Sequence, residues 1–327
     1  MTAFERILLT GGGGFVGSYL SRALAQAYPG ASRVVLTRPG ETVNDPAWRE
    51  ISADLLDATA IERLITEVRP DLVVHLAGQA SPGQAMHAAD GTWRINFHGS
   101  FNLAAALARG AAQATVLFSS SATVYGLSFR DGVASEDTPL RPLDAYSRSK
   151  AAAEAAFADV LPKEARLIVA RPVNHSGPRQ QAKNFALSSF AAQIAAIEAG
   201  RAAPRVRVGD LSKARDFLDV RDVIDAYMRL IGAADRLPER VSLFNIASGQ
   251  ARSIRSLLDG LRSRARRPFV EEVDETLLRP SQTDIASIAC DASRLHAVTG
   301  WTPRHSIDDM LQSLLDYWRG VEGGAAQ

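Results

Sequence analysis

Residues 6–28 decide the fold: they read Arg-Ile-Leu-Leu-Thr, then Gly-Gly-Gly-Gly-Phe-Val-Gly, then Ser-Tyr-Leu-Ser-Arg-Ala-Leu-Ala-Gln-Ala-Tyr. The first five residues form an apolar run typical of a buried parallel strand. The residues after Gly17 have helical spacing. Gly11, Gly14 and Gly17 stand between the two, where glycine permits a tight turn and lets backbone approach a pyrophosphate. This strand–turn–helix unit predicts a dinucleotide-binding site.

Strand and helix patterns alternate through the rest of the first half. Apolar strands are predicted at 33–37, 72–76 and 115–118, a short strand at 51–55, and helices at 58–68 and 85–109. This order predicts an α/β fold, a Rossmann-type doubly wound parallel sheet. In such sheets ligands bind outside the carboxyl ends of the strands, where the glycine turn, Ala77-Gly78 and Ser121 all fall.

The second half predicts a smaller, mixed α/β substrate-binding lobe. A strand is expected at 166–170, and Arg171-Pro172 marks the point where the chain leaves the sheet. We expect the dinucleotide-binding domain to comprise residues 1–172 plus about 214–246. The nucleotide-sugar-binding lobe would take about 173–213 plus 247–320, leaving 321–327 as a frayed tail.

Composition narrows the function classes. The 327 residues are 46% hydrophobic and 22% charged, as in soluble globular proteins, and the net charge is +1. So small a charge argues against a nucleic-acid or membrane-surface partner. The single cysteine, Cys290, permits no internal disulfide, so a reducing cytoplasm is the expected compartment. No signal peptide, membrane span or metal site is predicted.

The second strand carries a signal for cofactor choice. An acidic residue about 20 positions beyond the glycines holds the ribose 2′-hydroxyl in NAD-binding folds, whereas Thr37-Arg38 stands there in this chain. The guanidinium of Arg38 suits a 2′-phosphate, so NADP(H) is favoured over NAD(H). Asp54, at the end of the short third strand, is expected at the adenine edge.

The stretch Asp144-Ala-Tyr-Ser-Arg-Ser-Lys150 is the candidate catalytic segment. Asp144 is a good helix N-cap, and Tyr146 and Lys150, four residues apart, share one helix face. A free phenol has a pKa of about 10 and is a poor acid or base near pH 7. A nearby ammonium would favour the phenolate and bring proton transfer within reach, so we expect Lys150 to tune Tyr146.

Five motifs, in order, resemble the extended short-chain dehydrogenase/reductases. They are Thr10-Gly-x-x-Gly-Phe-Val-Gly17, Asp54-Leu55, His75-Leu-Ala77, Ser-Ser-Ser-Ala-Thr-Val-Tyr-Gly126 and Tyr146-x-x-x-Lys150. The resemblance implies a catalytic group of Ser121, Tyr146 and Lys150, in which Tyr146 is the acid/base, Ser121 bonds the substrate oxygen and Lys150 holds the nicotinamide ribose. The implied cofactor contacts are Gly11, Gly14, Phe15, Val16, Gly17, Arg38, Asp54, Leu55, Leu76, Ala77, Gly78, Tyr146 and Lys150.

The second half resembles enzymes that act on GDP-hexoses, most of all the GDP-4-dehydro-6-deoxy-D-mannose reductases. The segments that carry this likeness are Arg171-Pro-Val-Asn-His-Ser-Gly-Pro-Arg-Gln180, Arg215-Asp-Phe217, Asn245-Ile-Ala-Ser-Gly249 and Leu278-Arg-Pro-Ser281. A GDP-linked sugar is therefore the expected substrate and a homodimer the expected assembly. A sugar diphosphate calls for guanidinium groups. The predicted substrate residues are Ser121, Asn174, Arg179, Arg215 and Arg279.

Two details bear on the reaction. Related dehydratases carry a glutamate where this chain has Thr123, which speaks against dehydration. The Ser-Ser-Ser-Ala-Thr-Val-Tyr-Gly segment is closer to UDP-glucose 4-epimerases than to many GDP-sugar reductases. We expect NAD(P)H-dependent reduction of the C4 ketone of a GDP-4-keto-6-deoxy sugar, with an NAD-dependent nucleotide-sugar 4-epimerase as the alternative. A non-catalytic cofactor sensor is a remote third reading, since such proteins usually lose the tyrosine or the lysine.

Overall fold

A computed structural model describes residues 2–80, 88–278 and 285–324. Its strands are β1 (Arg6–Thr10), β2 (Ser32–Thr37), β3 (Arg49–Ser52), β4 (Leu72–His75), β5 (Thr115–Ser119), β6 (Arg166–Pro172), β7 (Asn174–Ser176), β8 (Arg205–Val208), β9 (Ala214–Asp219), β10 (Val241–Ile246), β11 (Ala251–Ser253), β12 (Val270–Val273) and β13 (Ser287–Ile288).

The helices fall between these strands. They are α1 (Phe15–Ala27), α2 (Ala58–Val68), α3 (Ala89–Trp93), α4 (Gly99–Gly110), α5 (Ala145–Val160), α6 (Ala186–Glu198), α7 (Val220–Gly232), α8 (Ile254–Arg264), α9 (Ser293–Thr299) and α10 (Ile307–Glu322). A π-helical turn at Arg94–His98 joins α3 to α4.

The central sheet confirms the predicted Rossmann-type architecture. Seven parallel strands run in the order β10-β6-β5-β4-β1-β2-β3. The middle strands read as apolar runs because both of their faces are covered. Two buried clusters cover the sheet: one contains Leu9 and residues of α1 and α7, and the other contains Leu8 and residues of α2, α4 and α5.

The smaller lobe is built on two short sheets. β9 pairs with β7, β11 and β13, and β8 pairs with β12. A third apolar cluster unites α6, α8 and α10 with these strands. The β7–β9 pairing sets Asn174 beside Phe217, so the segment that leaves the central sheet at Pro172 enters the second sheet at once.

The predicted division into lobes needs two corrections. Residues 214–219 were assigned to the dinucleotide-binding domain, but β9 hydrogen-bonds only to strands of the second sheet within the described residues. The chain returns to the central sheet's layer with α7, and β10 then pairs with β6. The tail predicted to fray from residue 321 is helical as far as Glu322, because Ser306 caps α10 and its apolar face packs into the third cluster.

Candidate active site

The helix that carries Tyr146 and Lys150 begins where the sequence predicted. The carboxylate of Asp144 accepts from the Ser147 amide at 2.7 Å, and the Ser147 hydroxyl bonds back to the Asp144 amide at 3.2 Å. This reciprocal capping box satisfies backbone donors that a helix start leaves open. Tyr146 and Lys150 are both buried, 8% and 5% exposed, because α5 lays their shared face against the end of β5.

Ser121 meets Tyr146 at the carboxyl end of β5. Ser121 caps the short 3-10 turn of residues 122–125, and its hydroxyl oxygen accepts from the Thr123 amide at 3.2 Å and the Thr123 hydroxyl at 2.9 Å. The Ser121 hydroxyl lies near enough to the Tyr146 phenol to lower its pKa, against the larger effect of burial. Two groups that are 25 positions apart in the chain thus form one polar contact inside an otherwise apolar wall.

Burial sets the protonation of this pair. It raises the pKa of Tyr146 to about 12, with the Asp144 carboxylate adding to the rise and the Ser121 hydrogen bond opposing it. Burial also lowers the pKa of Lys150 to about 8, opposed by the Glu154 carboxylate. The sequence argument expected the ammonium to make the phenolate easier to form. Burial raises this pKa instead, so Tyr146 stays protonated near pH 7.

Lys150 is held at a defined place. Its Nζ donates to the Ser119 carbonyl at 2.8 Å and lies 5.0 Å from the centre of the Phe118 ring. A Cβ on Gly78, where φ is +157°, would stand 3.5 Å from the same nitrogen. The ammonium therefore faces the loop after β4, one of the edges at which a dinucleotide lies in such sheets.

The glycine turn between β1 and α1 has the close approaches that its sequence predicted. Gly11 has φ +76°, and a Cβ there would stand 2.7 Å from the Ala77 amide. A Cβ on Gly17 would stand 2.1 Å from the Gly11 carbonyl, so no other residue fits. No side chain caps α1 at Gly14. The first amides of this 13-residue helix are thus available to an anion such as a pyrophosphate.

Other predicted cofactor residues lie around this turn. The Phe15 ring stacks parallel to that of His175, 6.1 Å away, while Val16 and Leu76 pack against the core. Leu55 contacts α4 through its carbonyl, which accepts from Asn102 at 2.9 Å. These contacts tie the cofactor side of the sheet to the segment after β6.

Arg38 and Asp54 occupy the exposed edge beyond β2 and β3. Arg38 forms an ion pair with Glu41, and its side chain remains 72% exposed. Asp54 accepts from the Leu56 amide at 3.0 Å and so closes its own turn. An ion pair between exposed groups is worth about 0–1 kcal/mol, so Glu41 is an exchangeable partner for this guanidinium.

The buried side chain of Asn96 hydrogen-bonds to the loop after β4 and to α5. Its side-chain oxygen accepts from the Gln79 amide at 2.7 Å, and its amide nitrogen donates to the Ser149 hydroxyl at 3.1 Å. Asn96 lies in the π-helical turn, where the widened backbone directs it between the loop after β4 and α5. It therefore joins the cofactor edge to the helix that carries Tyr146.

His75 is a buried histidine whose two ring nitrogens are both hydrogen-bonded. Ser100 donates its hydroxyl proton to the Asn96 carbonyl at 2.6 Å, so it accepts from His75 Nε2 at 3.0 Å. Nδ1 of His75 then accepts from the Thr10 hydroxyl at 2.7 Å. Burial and the nearby Lys150 lower the pKa of His75 to about 3. The neutral ring links three elements beneath the site.

The predicted substrate residues lie on the second-lobe side. Asn174 is exposed at the start of β7, and Arg179 is exposed with φ +73°, a left-handed conformation uncommon outside glycine. Arg215 on β9 donates to the Ala214 carbonyl at 2.7 Å. Arg279 lies outside the described residues.

The structure adds one arginine that the sequence reading did not select. Arg252 on β11 stands directly opposite Arg215 in an antiparallel pair, so both side chains leave the same face of the second sheet. Like charges facing each other across two strands are destabilising on their own. The register therefore brings a second guanidinium beside Arg215. No local pattern marks Arg252, since only strand register brings it to Arg215.

Glu154 and Arg171 form the main buried ion pair beside the site. Arg171 donates through Nε to one carboxylate oxygen at 3.0 Å and through Nη2 to the other at 2.6 Å, with side chains only 4% and 7% exposed. Removing one partner of such a pair costs roughly 3–5 kcal/mol. Glu154 follows Lys150 at the helical spacing that links Tyr146 to Lys150, a signal that the sequence reading passed over.

Within residues 2–80, 88–278 and 285–324, no helix combines the length and apolar character needed to cross a membrane. The same ranges contain no cluster of three or more His, Cys, Asp or Glu side chains placed to hold a metal ion. Cys290 is buried, and burial raises the pKa of its thiol.

Comparison with known proteins identifies one family and relatives that match nearly the whole chain. The model of the NAD dependent epimerase/dehydratase family matches residues 7–247. The chain is 35% identical to GDP-6-deoxy-D-mannose reductase of Pseudomonas aeruginosa, over 96% of this chain and 97% of the relative. It is 28% identical to UDP-glucose 4-epimerase of Mycolicibacterium smegmatis, over 96% and 98%. The solved structure of RMD from Pseudomonas aeruginosa complexed with NADPH superposes with a TM-score of 0.78 at 33% identity, covering 97% of this chain and 99% of that one.

Proposed function

Because this chain belongs to the NAD dependent epimerase/dehydratase family and is an NAD(P)-dependent oxidoreductase, we propose that it reduces the C4 ketone of a GDP-4-keto-6-deoxy sugar with NADPH. The observation that carries the proposal is the contact of Ser121 with Tyr146 beside Lys150, in a chain 35% identical to a GDP-6-deoxy-D-mannose reductase. The expected product is of the GDP-D-rhamnose type.

Tyr146 is the proposed proton donor. Burial keeps its phenol protonated, which is the form that a ketone reduction requires when the carbonyl oxygen becomes an alkoxide. Ser121 already accepts two hydrogen bonds from Thr123, so its own proton is free to point at the ketone oxygen or at Tyr146. We propose that both hydroxyls donate to the same carbonyl oxygen, since the developing oxyanion is stabilised by such donors.

Lys150 supplies the positive charge. Below its pKa of about 8 the ammonium is present, and it stabilises negative charge that develops on Tyr146 after the proton leaves. Its attachment to the Ser119 carbonyl fixes the distance between that charge and the end of β5. We propose that the same ammonium also contacts the nicotinamide ribose, because it faces the loop at Gly78.

The proposed cofactor is NADP(H), with NAD(H) as the alternative. The glycine turn leaves room that a Cβ would fill, and the uncapped first amides of α1 suit a pyrophosphate. Arg38, at the end of β2 where NAD-binding chains carry an acid, suits a 2′-phosphate in exchange for Glu41. When bound, the cofactor supplies the hydride, and the chain's residues handle the proton.

The proposed substrate diphosphate lies against the second sheet. Arg215 and Arg252 face each other there, and two guanidinium groups match the charge of a diphosphate. Asn174, beside Phe217 on the neighbouring strand, offers both a donor and an acceptor to a sugar hydroxyl. Arg179 and Arg279 remain proposed contributors on the strength of the sequence resemblance.

Dehydration is not part of the proposal. It needs a base at the sugar C5 and an acid at C6, and the positions beside Ser121 carry Ala122 and Thr123. The hydroxyl of Thr123 is committed to Ser121 at 2.9 Å. It orients Ser121 and offers no group that titrates near pH 7.

The direct test is to incubate the protein with NADPH and GDP-4-keto-6-deoxymannose. We expect loss of NADPH absorbance and appearance of a GDP-6-deoxyhexose. Absence of both would contradict the proposed substrate. A thermal-shift comparison of GDP, UDP, CDP and dTDP, each with NADPH, should favour GDP, since a ligand that binds only the folded state stabilises it in proportion to its affinity.

A nucleotide-sugar 4-epimerase is the second candidate. Its support is the Ser-Ser-Ser-Ala-Thr-Val-Tyr-Gly segment and the 28% identity to a UDP-glucose 4-epimerase. Such an enzyme retains NAD⁺ and regenerates it in every turnover. Protein that purifies with stoichiometric NAD⁺ and turns over without added cofactor would establish this alternative and exclude net reduction.

We also propose a homodimer in a reducing cytoplasm. Phe101 is 41% exposed on α4. Its ring lies beside that of Phe97 in the π-helical turn, and the Phe97 ring lies beside that of Trp93 at the end of α3. Exposed aromatic surface of this kind is typical of interfaces. Phe101→Glu should shift the protein to monomer in sedimentation, and an unchanged mass would argue against this face.

A further inference from the structure

Three consecutive residues at the end of β5 contact three residues of α5. The Ser121 hydroxyl lies near the Tyr146 phenol and lowers its pKa, the Ser119 carbonyl accepts from Lys150, and the Ser120 hydroxyl donates to the Glu154 carboxylate. On the helix side, positions 146, 150 and 154 are spaced by four, so they form one stripe along a single face. The first two contacts belong to the proposed chemistry, whereas the contact at Glu154 touches no reacting atom.

The carboxylate of Glu154 is fixed from behind. Both of its oxygens accept from Arg171 on β6, and Arg171 Nη1 donates to the Tyr125 hydroxyl at 3.0 Å. Tyr125 in turn donates to the Asn245 side chain on β10 at 2.7 Å. The guanidinium is thereby held between Glu154 and Tyr125, and Asn245 in turn holds Tyr125. These bonds keep the Glu154 carboxylate beside Ser120.

A carboxylate at this position is costly for the fold. Both side chains of the Glu154–Arg171 pair are almost fully buried, and well-packed apolar residues of similar size often stabilise a fold as well as a buried ion pair does. Its place in the stripe supplies a reason for a charge here. Glu154 is the group that acts electrostatically against the desolvation of Lys150.

We propose that Glu154 is a positioning residue of the reductase site: fixed by Arg171, it holds Ser120 so that Ser121 stays against Tyr146, and it balances the charge of Lys150. The expected effect on turnover rests on the proposed function. The expected effect on the pKa of Lys150 does not, because that titration is measured without any substrate.

The substrate-free test follows the titration of Lys150. The chain contains four lysines, so ¹³Cε-lysine labelling gives four resonances, and Lys150→Arg identifies the relevant one. In Glu154→Gln the Lys150 midpoint should fall by at least about half a pH unit, a threefold change in proton affinity. Asp159→Asn is the matched control: it removes an exposed carboxylate from the same helix and should leave the midpoint unchanged. An unchanged midpoint in Glu154→Gln would overturn the proposal.

The activity test separates positioning from charge. Ser120→Ala keeps the carboxylate and removes only its hydrogen bond to the end of β5. We expect kcat to fall at least about fivefold with KM for the sugar nucleotide within twofold, since orientation of a reacting pair acts on turnover. The Lys150 midpoint should stay at its wild-type value. A kcat within twofold of wild type would overturn the positioning role.

These experiments distinguish failure of the proposed function from failure of the proposed role of Glu154. If wild type does not oxidise NADPH with the GDP-keto sugar, the proposed function fails, and the lysine titration still decides the role of Glu154. If Glu154→Gln does not fold, the double variant Glu154→Gln/Arg171→Met leaves no buried charge unpaired and takes its place. A smaller fall in the Lys150 midpoint is expected there, because the nearby carboxylate is absent but the positive charge of Arg171 is removed with it.

Discussion

The stripe on α5 and the arginines of the second sheet differ in how their polar and charged side chains are buried. Along α5, Tyr146, Lys150 and Glu154 are buried, and each has a partner supplied by the chain. On the second sheet, Arg252 is exposed and Arg215 half-buried, two like charges set face to face. The charges along α5 are balanced by other groups of the chain, and the two arginines of the second sheet are the proposed contacts of the substrate diphosphate.

This difference teaches where chemistry and specificity reside. The proton donor and its supporting charge are preorganised, which is what a transition state needs, because no energy is then spent on reorganisation during the reaction. Of the two arginines proposed to bind the diphosphate, Arg252 is exposed and Arg215 half-buried. Changes to the stripe should therefore act on turnover, and changes to the second sheet on KM.

The largest effect is expected at Tyr146. Tyr146→Phe removes the proton donor and keeps the ring that fills the buried space, so kcat should fall by about 100-fold or more while KM changes little. Steady-state kinetics with NADPH and the GDP-keto sugar measure both constants. Turnover within tenfold of wild type would refute the assignment of Tyr146 as the acid.

The matching change on the other side is Arg215→Met, with Arg252→Met beside it. Each should raise KM for the sugar nucleotide by roughly 10–150-fold and leave kcat within threefold, since a hydrogen bond to a charged group is worth about 1.5–3 kcal/mol. Arg49→Met, an exposed arginine paired with Glu67, is the control and should change neither constant. A fall in kcat without a rise in KM would contradict the assignment of these arginines to substrate binding.

The pH profile sharpens the account of the stripe. Lys150 carries its charge below its pKa of about 8 and loses it above, so kcat/KM for the free enzyme should be flat near pH 7 and decline above pH 8. One unit above the midpoint the loss should be about tenfold. A profile that stays flat to pH 10 would show that the ammonium is not required.

A smaller effect is expected at the exposed cofactor edge. Arg38→Ala should lower kcat/KM for NADPH about fivefold to tenfold and leave that for NADH unchanged, because only the 2′-phosphate distinguishes the two. Measurement of both cofactors in parallel gives the ratio. Equal losses for both would assign Arg38 a structural role through Glu41.

The smallest effect should follow removal of the competing carboxylate. Glu41→Gln frees Arg38 from an exposed ion pair, which is worth at most about 1 kcal/mol. The KM for NADPH should therefore fall by no more than about fivefold, with kcat unchanged. A rise in KM would indicate that Glu41 orients Arg38 instead of competing for it.

Features formed by residues close together in the chain could be predicted from the sequence. The glycine turn, the helix cap at Asp144 and the pairing of Tyr146 with Lys150 depend on residues within a few positions of one another, and their spacing follows from helix and turn geometry. The alternation of apolar strands and helices likewise predicted the doubly wound sheet, because strands covered on both faces leave a continuous apolar signal.

The tertiary structure alone decided the parts that depend on register and burial. It placed β9 in the second sheet, set Arg252 opposite Arg215, and closed Glu154 onto Arg171 and Ser120. It also reversed the expected effect on Tyr146, whose pKa rises to about 12. Spacing along the chain predicts which groups share a helix face. The cost of removing those groups from water depends on everything packed around them, and only the complete fold defines that environment.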